Sequence, residues 1–356
     1  MLIASQTRSR NPEPAGEKGI SFPSHRRPAL FAMQDRLMFD IVWTEQQKSK
    51  LRDLVDISDW VWTGNVEDHP EILANTELIF STWGIPCLTP RDLDYLPKLK
   101  AVFYAAGSVK SFAAPLLERG ITVVSASIPN AIPVAEFTLS QIIFALKQGW
   151  QHHRQLRGTP NAKGFHELPI TGLYGATVGI ISLGTIGSKL CELLTPFDLH
   201  KLVYDPFIKE STLRKYRLQN ANLEALFAQS DVVTVHTPAL KETEGLVTGK
   251  LLDSMKPFST FINTSRGVLV REDEMIEVLQ RRPDLTAILD VTRSEPPLEG
   301  SPLYCLPNVV LMPHIAGSKG NEIRRMTDWI IEECANYIEG KPLKLAVSAD
   351  TLAYSA

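Results

Sequence analysis

Between Leu173 and Asp205 the chain reads LYGATVGIISLGTIGSKLCELLTPFDLHKLVYD, and no other stretch restricts its possible folds as much. Val178 to Leu183 is apolar and β-branched, the composition of a strand buried on both faces of a parallel sheet. Gly184-Thr185-Ile186-Gly187 follows, and from Ser188 to Thr195 the apolar residues Leu190, Leu193 and Leu194 recur at helical spacing. A helix starting on such a turn directs free N–H groups and the positive end of its dipole over the glycines, where a pyrophosphate fits. A second apolar run, Leu202 to Tyr204, ends in Asp205, eighteen residues beyond Gly187. A carboxylate there can accept both hydroxyls of an adenosine ribose. The register predicts a dinucleotide site; the alternative is a βαβ unit whose glycines only allow helix and strand to pack closely. One position departs from the G-x-G-x-x-G fingerprint, because Ser182 stands where its first glycine belongs. Its Cβ implies either a different turn or a negative φ.

A chain of 356 residues is long enough for about two domains. With 44% hydrophobic and 22% charged residues it can bury large cores. A net charge of -3 and a pI near 6.3 give no global attraction to nucleic acid or to an anionic membrane. No stretch approaches about eighteen uninterrupted apolar residues, so no transmembrane helix is expected. Cys87, Cys191, Cys305 and Cys334 lie far apart without a C-x-x-C pair. They read as buried thiols in a reducing compartment, not as a disulfide frame or a metal site. Residues 1–27 are rich in Ser, Pro, Gly, Arg and Glu and lack an apolar period, which predicts a disordered tail. Glu13, Glu17 and the prolines argue against an import helix there, leaving a cytoplasmic location as the expectation.

From Ala29 onward short apolar runs alternate with helical patterns, which predicts βαβ units and parallel sheets. About five strands precede residue 125, enough for one flavodoxin-like domain, and about six follow from Val178, the count of a doubly wound dinucleotide domain. Between them, Pro129-Asn130-Ala131-Ile132-Pro133 reads as a stiff turn before a helix from Val134 to about Arg157. A polar loop is expected over 158–171. Glu322 to Tyr337 is an amphipathic helix returning to the first domain, and the residues after Lys341 read as a weakly structured end.

Polar residues punctuate the carboxyl ends of the later strands: Asp205, His236, Arg266, Asp290 and His314. Ligands of open α/β sheets bind along that edge. Arg266, flanked by Gly267, can clamp a planar carboxylate in two-point fashion, although taken alone an Arg more often makes a surface salt bridge. His314 lies between Pro313 and Ile315, an apolar context that taken alone favours a satisfied core histidine, and Glu295 in Ser294-Glu295-Pro296-Pro297 could be a solvated loop charge. A carboxylate bonded to His314 would fix its tautomer and let it hold and donate a proton near neutral pH. In the first half, the turn Ala105-Ala106-Gly107-Ser108 follows a strand, and its glycine can bring backbone N–H groups to an anion such as a carboxylate. A plain βα loop is the alternative. Trp83-Gly84 could shape the same pocket.

The strings NTSRGVLV, DVTRSEPPLEGSPLYCLPNVVLMPHIAGS, VHTPALKETEGLV and NAIPVAEFTLSQII resemble the signature segments of the D-isomer-specific 2-hydroxyacid dehydrogenase family. The resemblance runs from about Ala29 to Tyr337. It implies an α/β protein of two parallel-sheet domains, a nucleotide-binding domain over 134–317 inserted in a substrate domain over 28–133 and 318–345, and a homodimer joined through the nucleotide domains. By the same resemblance Arg266 orients the substrate, His314 is the acid/base and Glu295 supports it. Gly107 and Ser108 would hold the substrate carboxylate. Gly184, Thr185, Ile186 and Gly187 would cradle the pyrophosphate of NAD, Asp205 the adenosine ribose, and Asp290 the nicotinamide carboxamide, with His236, Pro238 and Thr264 lining the cofactor. Thr185 stands where the family often has Arg, so one charged phosphate contact is missing. Asp205 should repel a 2′-phosphate, favouring NAD over NADP. The expected reaction interconverts a small 2-oxo acid and a D-2-hydroxy acid, of the glyoxylate, hydroxypyruvate or phosphoglycerate type. The alternative is an NAD-sensing corepressor or scaffold on the same fold, since such relatives keep the Arg, Glu and His set.

Overall fold

The structure is a computed structural model that describes residues 26–158 and 169–354. The expected tail lies, up to residue 25, outside the described residues, as does most of the 158–171 loop. Its last two residues already belong to the fold: Arg26 Nη1 donates to the Arg52 carbonyl at 2.5 Å, and Arg27 pairs with Glu77 at 3.1 Å.

The first half runs β1 (Pro28–Ala32), α1 (Arg36–Val42), α2 (Glu45–Leu54), β2 (Asp56–Trp62), α3 (Pro70–Asn75), β3 (Leu78–Ser81), α4 (Pro90–Asp94), β4 (Ala101–Tyr104), α5 (Ala113–Glu118) and β5 (Thr122–Ser125). Two helices follow, α6 (Ser127–Leu146) and α7 (Gly149–Gly158). The second half runs β6 (Thr177–Ile181), α8 (Thr185–Leu193), β7 (His200–Tyr204), α9 (Glu210–Tyr216), β8 (Gln219–Asn220), α10 (Leu223–Gln229) and β9 (Val232–Val235). It continues through α11 (Gly249–Asp253), β10 (Thr260–Asn263), α12 (Glu272–Arg281), β11 (Thr286–Leu289) and β12 (Val309–Leu311). The chain closes with α13 (Asn321–Ile338), β13 (Ala346–Val347) and α14 (Ala349–Ala353).

These strands build two sheets. The first is ordered β13-β5-β4-β3-β1-β2, parallel except for the antiparallel β13, so its five main strands have the flavodoxin-like order. The second, β12-β11-β10-β9-β6-β7-β8, is parallel throughout and has the doubly wound dinucleotide order. Every residue of β3, β4, β9, β10 and β11 is buried, which explains their unbroken apolar runs. Strand order reverses between β6 and β9, and α8 begins at that crevice.

Both crossovers between the sheets are helical. The α13 residues Ile323, Met326, Ile330 and Cys334 complete the core around Phe31, Trp43, Phe80 and Phe103 of the first sheet. Ala135, Ile142 and Leu146 of α6 pack with Val178, Ile180 and Leu190 of the second. By length and composition α6 is apolar enough to cross a membrane, and half of it is buried inside the fold.

The structure corrects the sequence reading at three places. Pro129 and Pro133 do not form a turn ahead of the helix but lie within α6, which runs through the expected 133/134 boundary. Pro129 falls in the first turn, where no intrahelical N–H is needed, so only Pro133 removes a bond. The long helix breaks instead at Lys147 and Gln148, whose φ of 52° is left-handed. After Lys341 the described residues, up to 354, are structured: β13 pairs with β5, and α14, capped by reciprocal Ser348 and Thr351 bonds, packs on α5. Finally, Cys191 and Cys334 are buried but Cys87 and Cys305 are exposed.

Candidate active site

The turn after β10 is shaped by its last residue. Asn263 Oδ1 accepts the Ser265 N–H at 3.0 Å and its Nδ2 donates to the Arg266 carbonyl at 3.0 Å. Ser265 Oγ reaches the Thr237 carbonyl at 2.6 Å, locking this turn to the one after β9. Arg266 Nη1 donates to the Ser265 carbonyl at 2.7 Å. Burial lowers the guanidinium pKa, opposed by the nearby Glu295 carboxylate, and a group that starts so high stays cationic.

Gly267 brings the next loop close. A Cβ there would lie 2.0 Å from both the Thr292 carbonyl carbon and oxygen, so only glycine lets the Arg266 turn meet the 290–295 segment. That segment carries Glu295, whose Oε2 lies 2.6 Å from His314 Nδ1. The His314 side chain is 50% exposed, which rules out the core-histidine reading. Its φ of 53° is left-handed, a conformation a non-glycine residue adopts only when the surroundings impose it. Asp290 does so: its carbonyl accepts the His314 N–H at 3.0 Å, and its two carboxylate oxygens accept the Ile315 and Ala316 N–H groups at 2.7 and 2.9 Å. Asp290 is buried, and it aims its carboxylate at this turn.

Around α8 the residues fit a dinucleotide. The helix has no side-chain cap, Gly184 and Thr185 are exposed, and the space above Gly184 is open, so the first-turn N–H groups face solvent. Gly187 is buried, and a Cβ there would strike the Ser182 carbonyl oxygen at 2.3 Å. Ser182 itself has φ 73°. The turn therefore keeps its fingerprint shape with serine forced into the left-handed region, contrary to the altered turn or negative φ expected. Asp205 ends β7 with Oδ2 accepting from Leu183 N and Oδ1 from Phe207 N, both at 2.8 Å. Lone pairs remain on each oxygen for ribose hydroxyls.

Of the other expected cofactor residues, His236 is buried, with Nε2 3.2 Å from Thr234 Oγ1 and Nδ1 without a partner. Desolvation brings its pKa down to about 3, so the ring is neutral. Thr264 is buried and pairs through its hydroxyl with Thr138 of α6 at 3.1 Å. Pro238 is half-buried, its carbonyl taken by Thr243 Oγ1 at 2.6 Å.

The Gly107-Ser108 loop follows β4. Ser125 Oγ donates to the Gly107 carbonyl at 2.5 Å, while Ser108 stays exposed. Two residues missed in the sequence organise this region. Asn130 at the start of α6 stands between Gly107 and Gly317, and its Oδ1 accepts the Ser318 N–H at 2.9 Å, joining the substrate-side loop to the return crossover. Lys110 Nζ donates to the Ala239 carbonyl at 2.7 Å, tying the loop after β4 to the loop after β9. Asn130 was hidden between two prolines that read as turn residues. Nothing in the sequence marks Lys110.

Comparison with known proteins identifies the family. Residues 139–316 match the profile of the D-isomer specific 2-hydroxyacid dehydrogenase NAD binding domain. YoaD of Bacillus subtilis strain 168, which carries the 2-hydroxyacid dehydrogenase name, is 34% identical over 291 residues, 78% of this chain and 83% of the relative. D-3-phosphoglycerate dehydrogenase of Archaeoglobus fulgidus is 32% identical over 66% of this chain, and the match spans only 44% of that longer protein. A crystal structure of a phosphoglycerate oxidoreductase from Rhizobium etli, 22% identical, superposes with a TM-score of 0.76 over 92% of this chain and all of the other, which establishes the shared fold. The chain therefore belongs to the D-isomer specific 2-hydroxyacid dehydrogenase family, whose members are NAD-dependent dehydrogenases acting on a CH–OH group.

Proposed function

We propose that the protein interconverts a small 2-oxo acid and the corresponding D-2-hydroxy acid with NAD as its cofactor. The observation that carries the reading is the 2.6 Å contact between His314 Nδ1 and Glu295, held against the Arg266 turn by Gly267. With Nδ1 committed to Glu295, Nε2 is the nitrogen free to give a proton to the substrate oxygen or take it back. Glu295 keeps the ring oriented and balances the imidazolium charge. Arg266 pairs with the substrate carboxylate and polarises the adjacent carbonyl oxygen, and although burial lowers its pKa the guanidinium stays cationic in a poorly solvated site where its attraction for an anion is less screened. The backbone around Gly107 and Ser108 holds the carboxylate from the other side of the cleft. Bound NAD would supply the hydride acceptor or donor, held by Gly184, Thr185, Ile186 and Gly187 at the pyrophosphate and by Asp205 at the ribose.

In this reading residues 28–133 and 318–345, extended by β13 and α14, form the substrate domain, and 134–317 the cofactor domain. NAD is preferred because a 2′-phosphate would face the Asp205 carboxylate, and no Arg follows closely to receive it. The reading includes a cytoplasmic homodimer joined through the cofactor domains. Phe144, Leu156 and Tyr174, all exposed on that domain, supply the apolar surface such an interface buries. The test is a panel of 2-oxo acids (glyoxylate, hydroxypyruvate, pyruvate and bulkier aliphatic and aromatic ones) assayed with NADH and with NADPH. Turnover on one class, faster with NADH, is expected. Negligible turnover on all of them would favour the corepressor or scaffold reading, and faster NADPH turnover would overturn the cofactor assignment.

A further inference from the structure

In the reading above a substrate carboxylate is held from two sides, by the backbone around Gly107 and Ser108 on one domain and by Arg266 on the other. The spacing of these two loops then decides how well a 2-oxo acid binds. One side chain spans the gap. Lys110, two residues beyond Ser108, is exposed in the loop after β4, and its Nζ donates at 2.7 Å to the carbonyl of Ala239 in the loop after β9.

Both ends of this bond are anchored. The Lys110 backbone N–H points to Ser108 Oγ at 3.4 Å, and the neighbouring Val109 and Phe112 are buried in the first-sheet core. On the other side Thr243 Oγ1 donates to the Pro238 carbonyl at 2.6 Å and accepts the Leu240 N–H at 2.9 Å, which clamps the residues on either side of Ala239. The Thr237 carbonyl accepts Ser265 Oγ at 2.6 Å, and Ser265 gives its own carbonyl to Arg266 Nη1 at 2.7 Å. A chain of contacts therefore runs from Ser108 through Lys110 and the loop after β9 to Arg266, from one carboxylate-holding loop to the other. The Asn130 bond to the Ser318 N–H is placed differently, because it joins the two crossovers on which the domains would turn. Lys110 and Ala239 sit on the loops that such a turn brings together, so their bond is made only while the loops face each other.

We propose that Lys110 is a positioning residue that latches the substrate cleft shut, setting the spacing between the Gly107-Ser108 loop and the Arg266 turn without touching substrate. This rests on the reading of those two loops as the holders of a 2-oxo acid carboxylate. A hydrogen bond of this kind shifts the balance between open and closed cleft by about threefold to tenfold, which favours closure without trapping product. Bound substrate bridges the same two loops, so at saturation the cleft closes without Lys110. Its contribution therefore appears in the substrate concentration needed and not in the chemical step.

The test is steady-state kinetics of the full-length protein with its best 2-oxo acid, beside fluorescence titration with NADH. Because the Lys110 side chain is exposed, its replacement leaves the core untouched. Lys110→Ala and Lys110→Met should each raise KM for the 2-oxo acid about threefold to tenfold, with kcat not lowered and the Kd for NADH unchanged. Lys110→Arg, which keeps a cationic donor, should recover most of the wild-type KM. An unchanged KM in both Lys110→Ala and Lys110→Met, in a wild type that turns over a 2-oxo acid, overturns the latch and leaves the functional reading standing. A lowered kcat at unchanged KM also overturns it, since the effect would then lie in the chemical step. A wild type that turns over no 2-oxo acid overturns the functional reading instead. Hydrogen exchange of the protein alone then decides the tie between the loops: faster exchange over residues 104–112 and 236–244 in Lys110→Met supports it, and unchanged exchange in both removes it.

Discussion

His314 Nδ1 and Glu295 Oε2 meet at 2.6 Å although they belong to loops that follow different strands, β12 and β11. The contact depends on backbone as much as on side chains. Asp290 holds the His314 turn by three bonds, and Gly267 gives the Glu295 segment its place beside Arg266. If His314 transfers the substrate proton, His314→Ala should lower kcat by about 10² to 10⁴. Glu295→Gln keeps the shape but loses the charge and can present an amide N–H to Nδ1, so kcat should fall about 10²-fold while KM for the 2-oxo acid changes little. Steady-state kinetics on both variants is the check, and an undiminished kcat in either removes that residue from the mechanism.

Ser182 carries a cost that a single substitution relieves. At φ 73° its Cβ opposes a conformation glycine adopts freely, and the left-handed region costs an L-residue roughly 1 kcal/mol or more. Ser182→Gly should therefore stabilise the protein by about 1 kcal/mol, less the entropy glycine adds to the unfolded chain. A urea midpoint that does not rise would show that neighbouring contacts offset the strain.

These two sites also show what could be read from sequence. Asp205, Arg266, Glu295 and His314 announce themselves because each ends a strand or sits beside Gly or Pro, and strand ends of a doubly wound sheet converge on one edge. Strands as apolar as Leu78–Ser81 and Thr260–Asn263 were legible to the residue. What stayed hidden depends on long-range partners. A two-residue strand such as Ala346–Val347 has no periodicity and exists only because β5 offers an edge. Seven-residue α1 and five-residue α4 are set by the caps Asp35 and Thr89 more than by an apolar face. The prolines of α6 misled because one lies in the first turn, where it is tolerated, and the other is offset by burial on the second sheet. Lys110 and Asn130 gain meaning only once two loops distant in sequence face each other.

Gly267 has no room for a side chain. Because the added methyl of Gly267→Ala would overlap the Thr292 carbonyl, the loop must shift by an ångström or more. Such overpacking costs about 1 to 3 kcal/mol. Displacing Glu295 relative to Arg266 by about 1 Å should also lower kcat/KM on the order of 10²-fold. Thermal melts and kinetics on the same sample test both effects. Full activity in a folded Gly267→Ala protein would mean that the two loops need not touch.

The cysteines separate into two classes. Burial pushes the thiol pKa values of Cys191 and Cys334 up to about 12, whereas Cys87 and Cys305 are exposed. A thiol reagent at pH 8 should modify Cys87 and Cys305 in the native protein and reach Cys191 and Cys334 only on unfolding. Mass spectrometry of the labelled peptides distinguishes them.

His236 links stability to pH. Its folded pKa of about 3 lies below the value of 6.5 for an unburied histidine, because the ring is desolvated and Nδ1 finds no acceptor. Between those values the unfolded chain binds a proton that the folded chain refuses, so the unfolded state is favoured as pH falls. The stabilisation is complete above about pH 6.5 and is lost progressively toward pH 3, by about tenfold in the folding equilibrium per pH unit. Carboxylate protonation adds to acid unfolding at the lower end, so the window from pH 6.5 to 5 isolates the histidine. Urea denaturation across that window should show falling stability in the wild type and a flatter profile in His236→Gln. Parallel profiles for the two proteins would mean that water or a rearranged partner solvates the His236 ring.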